Sequence, residues 1–209
     1  LSYLKLLAAP KGVRPVLRNY TVRAHRPDGP EGPELDVDFV LHGDPGDPGE
    51  ENGHAAGPAA TWASTCSVGD SVVLVDEGIG FNRPDDLRSV VLVADESGLP
   101  ALAGVLASLP DDITGTAVAE VPTPEDRQEL IAPPGVEIVW VERGTTGPPV
   151  PGVAALERAR SLPLPEVPFY GWVVGESGLA TGLRRHWVAQ GVPKDRIMFC
   201  GYWRARRDR

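Results

Sequence analysis

The chain is poor in cysteine, aromatic residues and positive charge, and each shortage excludes something. Its two cysteines, Cys66 and Cys200, stand far apart without CxxC or histidine spacing. Neither a disulfide framework nor a zinc site is implied, and both read as buried thiols. Twenty Lys and Arg against 29 Asp and Glu leave a net charge of −9. That balance argues against a whole-surface footprint for nucleic acid or an anionic membrane. No apolar run approaches the ~20 residues of a membrane span, and the start shows no charged segment followed by an apolar core. The sequence therefore reads as soluble and cytoplasmic. His25, His42, His54 and His186 are scattered. No HExxH, Walker loop or Ser–His–Asp order is present, so metal, kinase and hydrolase chemistry lack their key residues.

Glycine and proline are plentiful, at 24 and 22 residues, nearly twice their usual combined share of ~12 %. Hydrophobic content of 42 % and charged content of 23 % are ordinary for a globular chain, so wholesale disorder is not expected. Much of the Gly and Pro excess falls in residues 42–60, HGDPGDPGEENGHAAGPAA, which has no apolar period and reads as a solvated loop.

Up to about residue 87 the pattern is antiparallel. Residues 16–25 and 34–41 read as strands, with Leu35, Val37, Phe39 and Leu41 alternating against Asp36, Asp38 and Val40. PDGPEGP between them is turn chemistry, and SVVLV at 71–75 reads as a further strand. Beyond FNRPDDL the apolar runs at 90–94, 115–121, 136–141, 169–174 and 197–203 lack clean alternation, as strands covered on both faces do. Helical spacing recurs at 97–108, 124–131, 152–161 and 176–190. The expected fold class is thus α/β plus β: an antiparallel β unit, then a parallel sheet flanked by helices, with the boundary near Asp86. Such a sheet binds ligands beyond the carboxyl ends of its strands.

Four groups of residues could carry chemistry. Arg18, Tyr20 and Thr21 offer a donor fork for a diphosphate, an aromatic face for a flat ring and a hydroxyl for its polar edge. A half-buried strand with an exposed Arg is the competing reading. Pro58, Ala59, Thr61 and Trp62 lie in GPAATWA, where small side chains let backbone N–H groups approach a phosphate; Trp62 equally suits a core. Asp95 and Glu96 close the first parallel strand without a G-x-G-x-x-G fingerprint, and helix capping explains them as well as ligand binding does. Finally, CGYWRARRDR clusters Arg204, Arg206, Arg207 and Arg209, either as a solvated tail or as a positive wall around an anion.

Taken in order, KLLAAP, RNYTVR, LDVDFVLHG, GPAATWA, VGDSVVL, VADESGLPAL, VEIVWVER, VVGESG and GYWR resemble the siderophore-interacting proteins. These are a branch of the ferredoxin-reductase superfamily that binds FAD and reduces ferric siderophores with NADPH or NADH. The resemblance runs from Leu4 to Arg204. It implies a flavin-binding β-barrel over residues 1–86, incomplete at its front, and an NAD(P)H-binding α/β domain over 87–209. On the flavin side it implies Arg18, Tyr20, Thr21, Asp38, Phe39, Val40 and His42, with Pro58, Ala59, Thr61 and Trp62 in the diphosphate loop. Ala60 stands there where the family usually has Ser. On the nicotinamide side it implies Asp95, Glu96, Pro100, Gly175 and Glu176.

The family gathers its anionic ferric chelate with three basic residues. Lys5 and Arg204 fit the first and third. The second is replaced by Asp76–Glu77–Gly78, and at ~4 Å and an effective dielectric of ~20 each such swap changes an anion's energy by several kcal/mol. The resemblance therefore implies a small-molecule partner, a ferric siderophore, with two alternatives. One is a repurposed homologue acting as a flavin-assisted cyclase or isomerase in secondary metabolism; the other is a non-catalytic binding module. The chain opens LSYLKLL without methionine, where the family's barrel has earlier strands. Either an upstream segment is expected, or an open barrel with impaired flavin binding.

Overall fold

The computed structural model describes residues 10, 16–39, 41, 57–75, 78–144, 146 and 150–205. The chain divides into two compact units, Leu1–Gly78 and Ile79–Arg209.

In the first unit, β1 (Val22–Gly29) and β2 (Gly32–Val37) form an antiparallel hairpin, with His25 opposite Leu35 and Arg26 opposite Glu34. Arg26 holds the ladder on its exposed face, donating to Glu34 at 2.8 Å and bidentately to Asp36 at 2.6 and 2.7 Å. The pairing sits further towards the turn than the alternation predicts. Pro27–Gly29 join the strand, because the chain reverses over Pro30 and Glu31 with Gly32 at φ +115°, a backbone region open to glycine. Arg18, Tyr20 and Thr21 consequently precede β1, and Asp38 and Phe39 follow β2. Residues 71–75 are not a strand either. Val73 is 79 % exposed and, among the described residues, no ladder takes up the segment; β-propensity without a pairing edge does not make a strand. GPAATWA, expected as a loop with short helical turns, forms helix α1 (Pro58–Thr65), with Pro58 at its first position. Cys66, expected buried, is exposed at the end of α1, and Cys200 is half-buried.

The second unit is a parallel sheet of β3 (Ser89–Ala94), β4 (Thr114–Val121), β5 (Gly135–Glu142), β6 (Phe169–Glu176) and β7 (Ile197–Trp203), in the order β5-β4-β3-β6-β7. The central strand β3 and its neighbour β6 are buried along their whole length, which is why their apolar runs do not alternate. Their side chains divide between two cores. Leu92 and Ala94 pack with Leu99, Leu102, Val105 and Leu106 of α2 (Leu99–Ser108). Val91 and Val93 pack with Ala155 and Ala159 of α3 (Val153–Ser161) and Leu183 and Trp187 of α4 (Ser177–Ala189). Each such Leu or Val contributes about 1.5–3 kcal/mol by leaving water. The helix expected at 124–131 is a single 3-10 turn, Pro124–Asp126, tied by Thr123 Oγ1 donating to Asp126 at 2.8 Å. PEDRQE offers no apolar stripe to bury, so the turn does not extend.

Strand order reverses between β3 and β6: one half of the sheet grows towards β5 and the other towards β7. The carboxyl ends of these two strands form the switch-point crevice where such sheets receive ligands.

Candidate functional site

Two groups of side chains stand out, one in each unit. In the first, Tyr20 lies 4.5 Å from Phe39 between ring centroids, and Phe39 lies 5.7 Å from Trp62. Trp62 sits on α1, so this aromatic ladder ties the residues flanking the hairpin to that helix. Tyr20 remains 45 % exposed and presents ring surface; partial burial pushes its phenol up in pKa, against the pull of Arg18. The Arg18 guanidinium is exposed and donates through Nη1 to the Leu17 carbonyl at 2.7 Å, which leaves most of its fork for an anion. The N-cap residue of α1, Gly57, has no side chain to cap it, and among the described residues the backbone N–H groups of Ala59 and Ala60 open its amino end. A flat ring with a diphosphate fits this set: ring face, donor fork and helix end belong to one unit. Asp38 is instead occupied, accepting from Arg23 at 3.2 Å. Lys5, Val40, His42, Asp76 and Glu77 lie outside the described residues.

In the second unit Asp95 ends β3 and is 1 % exposed. Its Oδ1 accepts from Ser97 N at 2.9 Å and Ser97 Oγ at 2.5 Å, and its Oδ2 from Glu176 N at 2.7 Å and Trp203 Nε1 at 3.3 Å. One carboxylate thereby binds the ends of β3, β6 and β7 together. Desolvation pushes its pKa up, against the pull of the Ser97 and Glu176 hydrogen bonds. Glu176 caps α4 by accepting from Gly178 N, and its Oε1 accepts from Ala205 N at 3.2 Å. Gly175 takes φ +129° beneath the Asp95 carboxylate, and Pro100 is the second residue of α2. Arg204 projects, exposed, just past β7.

Of the expected nicotinamide-side residues, Asp95, Gly175 and Glu176 therefore meet at the switch point. Glu96 turns to a partner the sequence reading missed: Arg143, just past β5. Arg143 Nη1 donates to Glu96 Oε2 at 3.0 Å and to Glu120 Oε1 at 2.7 Å, and Nη2 donates to Glu96 Oε1 at 2.9 Å. These bonds hold the guanidinium above its ordinary pKa, Glu96 most strongly. Glu120, wholly buried, also accepts from Gly152 N at 2.9 Å and Ala155 N at 2.7 Å at the start of α3. The signal for it was present: an acid inside the apolar run GTAVAEV needs a buried partner. Trp203 and Ser97 were also missed as partners of Asp95. Among the described residues no group of three or more His, Cys, Asp and Glu is arranged to hold a metal, and no helix is long and apolar enough to cross a membrane.

An antiparallel hairpin unit, followed by a doubly wound parallel α/β unit, is the class of fold these elements define. Residues 2–79 match the siderophore-interacting FAD-binding domain, and residues 87–206 match the siderophore-interacting protein family. The chain belongs to the siderophore-interacting protein family. An uncharacterized protein of Mycobacterium tuberculosis is 38 % identical over 169 residues, covering 80 % of this chain and 53 % of that protein. The ferric vibriobactin reductase of Vibrio cholerae is 28 % identical over 198 residues, covering 91 % and 65 %. The crystal structure of the siderophore-interacting protein of Aeromonas hydrophila superposes with a TM-score of 0.70 at 31 % identity, covering 94 % of this chain and 76 % of that one. The chain thus spans between half and two thirds of the length of these curated relatives.

Proposed function

We propose that this protein passes electrons from NADH or NADPH through FAD to a ferric siderophore in the cytoplasm, releasing Fe(II). Residues 1–86 hold the flavin and residues 87–209 the nicotinamide. The observation that carries this reading is the ladder Tyr20–Phe39–Trp62, which joins an exposed ring face to helix α1. FAD, when bound, supplies hydride acceptance and one-electron release. The chain's own residues supply orientation and charge. Arg18 and the first-turn N–H groups of α1 would hold the diphosphate, and Tyr20 and the Thr21 hydroxyl would hold the ring. Asp95, by joining the ends of β3, β6 and β7, holds Glu176 and the chain at Arg204 in place around the nicotinamide. Lys5 and Arg204 attract the anionic chelate. No side chain needs to move a proton on the chelate, because hard oxygen ligands hold Fe(II) far less tightly than Fe(III).

Arg18→Ala is expected to weaken FAD binding by about ten- to a hundredfold, the loss of hydrogen bonds to a charged acceptor. The unfolding midpoint should not move, since Arg18 is exposed and bonds a neighbouring carbonyl. Titration of FAD fluorescence against each protein measures the first, and circular dichroism the second.

A second reading, the flavin-assisted cyclase or isomerase, rests on Asp76 and Glu77 standing where the family places a positive charge. If those carboxylates face the pocket, changing both to Gly is expected to improve capture of an anionic ferric chelate by tenfold or more, measured by quenching of protein fluorescence. Unchanged capture removes the reason for the second reading. A colourless full-length protein favours the third, a binding module without turnover. The reductase reading itself is tested by whether the flavin bleaches with NADH or NADPH and recovers with a ferric siderophore.

A further inference from the structure

The α/β unit carries an arginine placed where a nucleotide phosphate could be read, and that arginine is already taken. In sheets of this strand order the end of the second strand, here β4, reads the ribose next to the adenine: a carboxylate suits a free 2′-hydroxyl, and an arginine suits a 2′-phosphate. Arg143 follows β5 beside this end, its backbone N–H donating to Val121 O at 3.0 Å. Its side chain is only 13 % exposed, with both terminal nitrogens given to Glu96 and Glu120. Arg127, beyond the same strand, is paired with Glu142. Glu96, Glu120 and Glu142 contact the two guanidinium groups, and Glu125 and Asp126 precede Arg127 in the chain. Among the described residues, then, this half of the sheet's carboxyl end presents paired guanidinium groups and an excess of carboxylates. Arg204, with no carboxylate partner among the described residues, belongs to the other half, past β7.

We propose that Glu96 and Glu120 withhold Arg143 from the nucleotide, so that the α/β unit selects the dinucleotide with a free 2′-hydroxyl and NADH is the preferred donor. The inference rests on the reading of residues 87–209 as the nicotinamide unit. A 2′-phosphate brings further negative charge to a site whose carboxylates already outnumber its cations. Its natural receptor, a planar donor fork, is bound on both sides by carboxylates.

The test uses nucleotides without a nicotinamide ring, so that binding is measured apart from turnover. The full chain is titrated calorimetrically with 5′-ADP and with 2′,5′-ADP. We expect 5′-ADP to bind at least tenfold more tightly. Equal or tighter binding of 2′,5′-ADP overturns the inference and leaves the nicotinamide-unit reading standing; binding of neither overturns both. Glu96→Gln, which removes the charge that grips both terminal nitrogens of Arg143, is expected to shift the ratio towards 2′,5′-ADP by about fivefold or more. An unchanged ratio in a folded Glu96→Gln protein overturns the role given to Arg143.

Discussion

Replacing Arg143 with methionine is expected to lower the unfolding free energy of the α/β unit by about 3–5 kcal/mol, the cost of leaving a buried charge without its partner. Glu120 is the charge concerned. It is wholly buried, and without Arg143 it keeps two backbone donors, Gly152 N and Ala155 N. Those bonds anchor the start of α3, so the loss should spread into the packing of Ala155 and Ala159 against Val91 and Val93. For a chain of this size the change corresponds to a fall in melting temperature on the order of 10 °C. The double variant Arg143→Met/Glu120→Gln should recover a large part, because it removes the stranded charge and keeps an acceptor for a backbone N–H. Differential scanning calorimetry of the single and double variants measures both. A loss below about 1 kcal/mol in Arg143→Met would show that water reaches Glu120.

Gly175→Ala should be comparably damaging for a different reason. The residue sits at φ +129°, and an added Cβ would lie 2.5 Å from Asp95 Cγ and 2.6 Å from each carboxylate oxygen. The backbone strain costs about 1–3 kcal/mol. The clash adds more, because Asp95 cannot move without loosening its bonds to Glu176 N and Trp203 Nε1. We expect a total of about 4 kcal/mol by urea denaturation. Nucleotide binding should be lost in whatever fraction remains folded, since the ends of β3, β6 and β7 come apart together. A Gly175→Ala protein with wild-type stability would contradict the role given to the Asp95 carboxylate.

The parallel sheet was legible because β3 and β6 are buried on both faces, so their apolar runs do not alternate. What failed was what depends on a partner. VVLV within residues 71–75 has the same texture as β3, yet among the described residues no strand pairs with it. PEDRQE looked helical by spacing and lacks a buried face, so one turn forms. At the site, Asp95 and Glu176 were legible because strand ends next to helix starts are where acids cap and ligands bind. Whether they cap or bind was not legible, and the four donors around Asp95 show a carboxylate engaged in joining three strands. The Glu120–Arg143 pair spans 23 residues, and no local pattern announces which arginine answers a buried acid. Arg18 and Tyr20 were picked out in one motif and Trp62 in another; the ladder Tyr20–Phe39–Trp62 that joins the two motifs is visible only once the chain is folded.

The central claim, electron passage from a nicotinamide through FAD to ferric iron, is tested most directly by an anaerobic titration of the FAD-reconstituted protein. NADH should bleach the yellow absorbance, and a ferric siderophore should restore it with two ferric chelates consumed per hydride, Fe(II) appearing in step in a colorimetric trap. A protein that binds FAD and stays yellow with both NADH and NADPH, or one that bleaches and yields no Fe(II), would contradict the account.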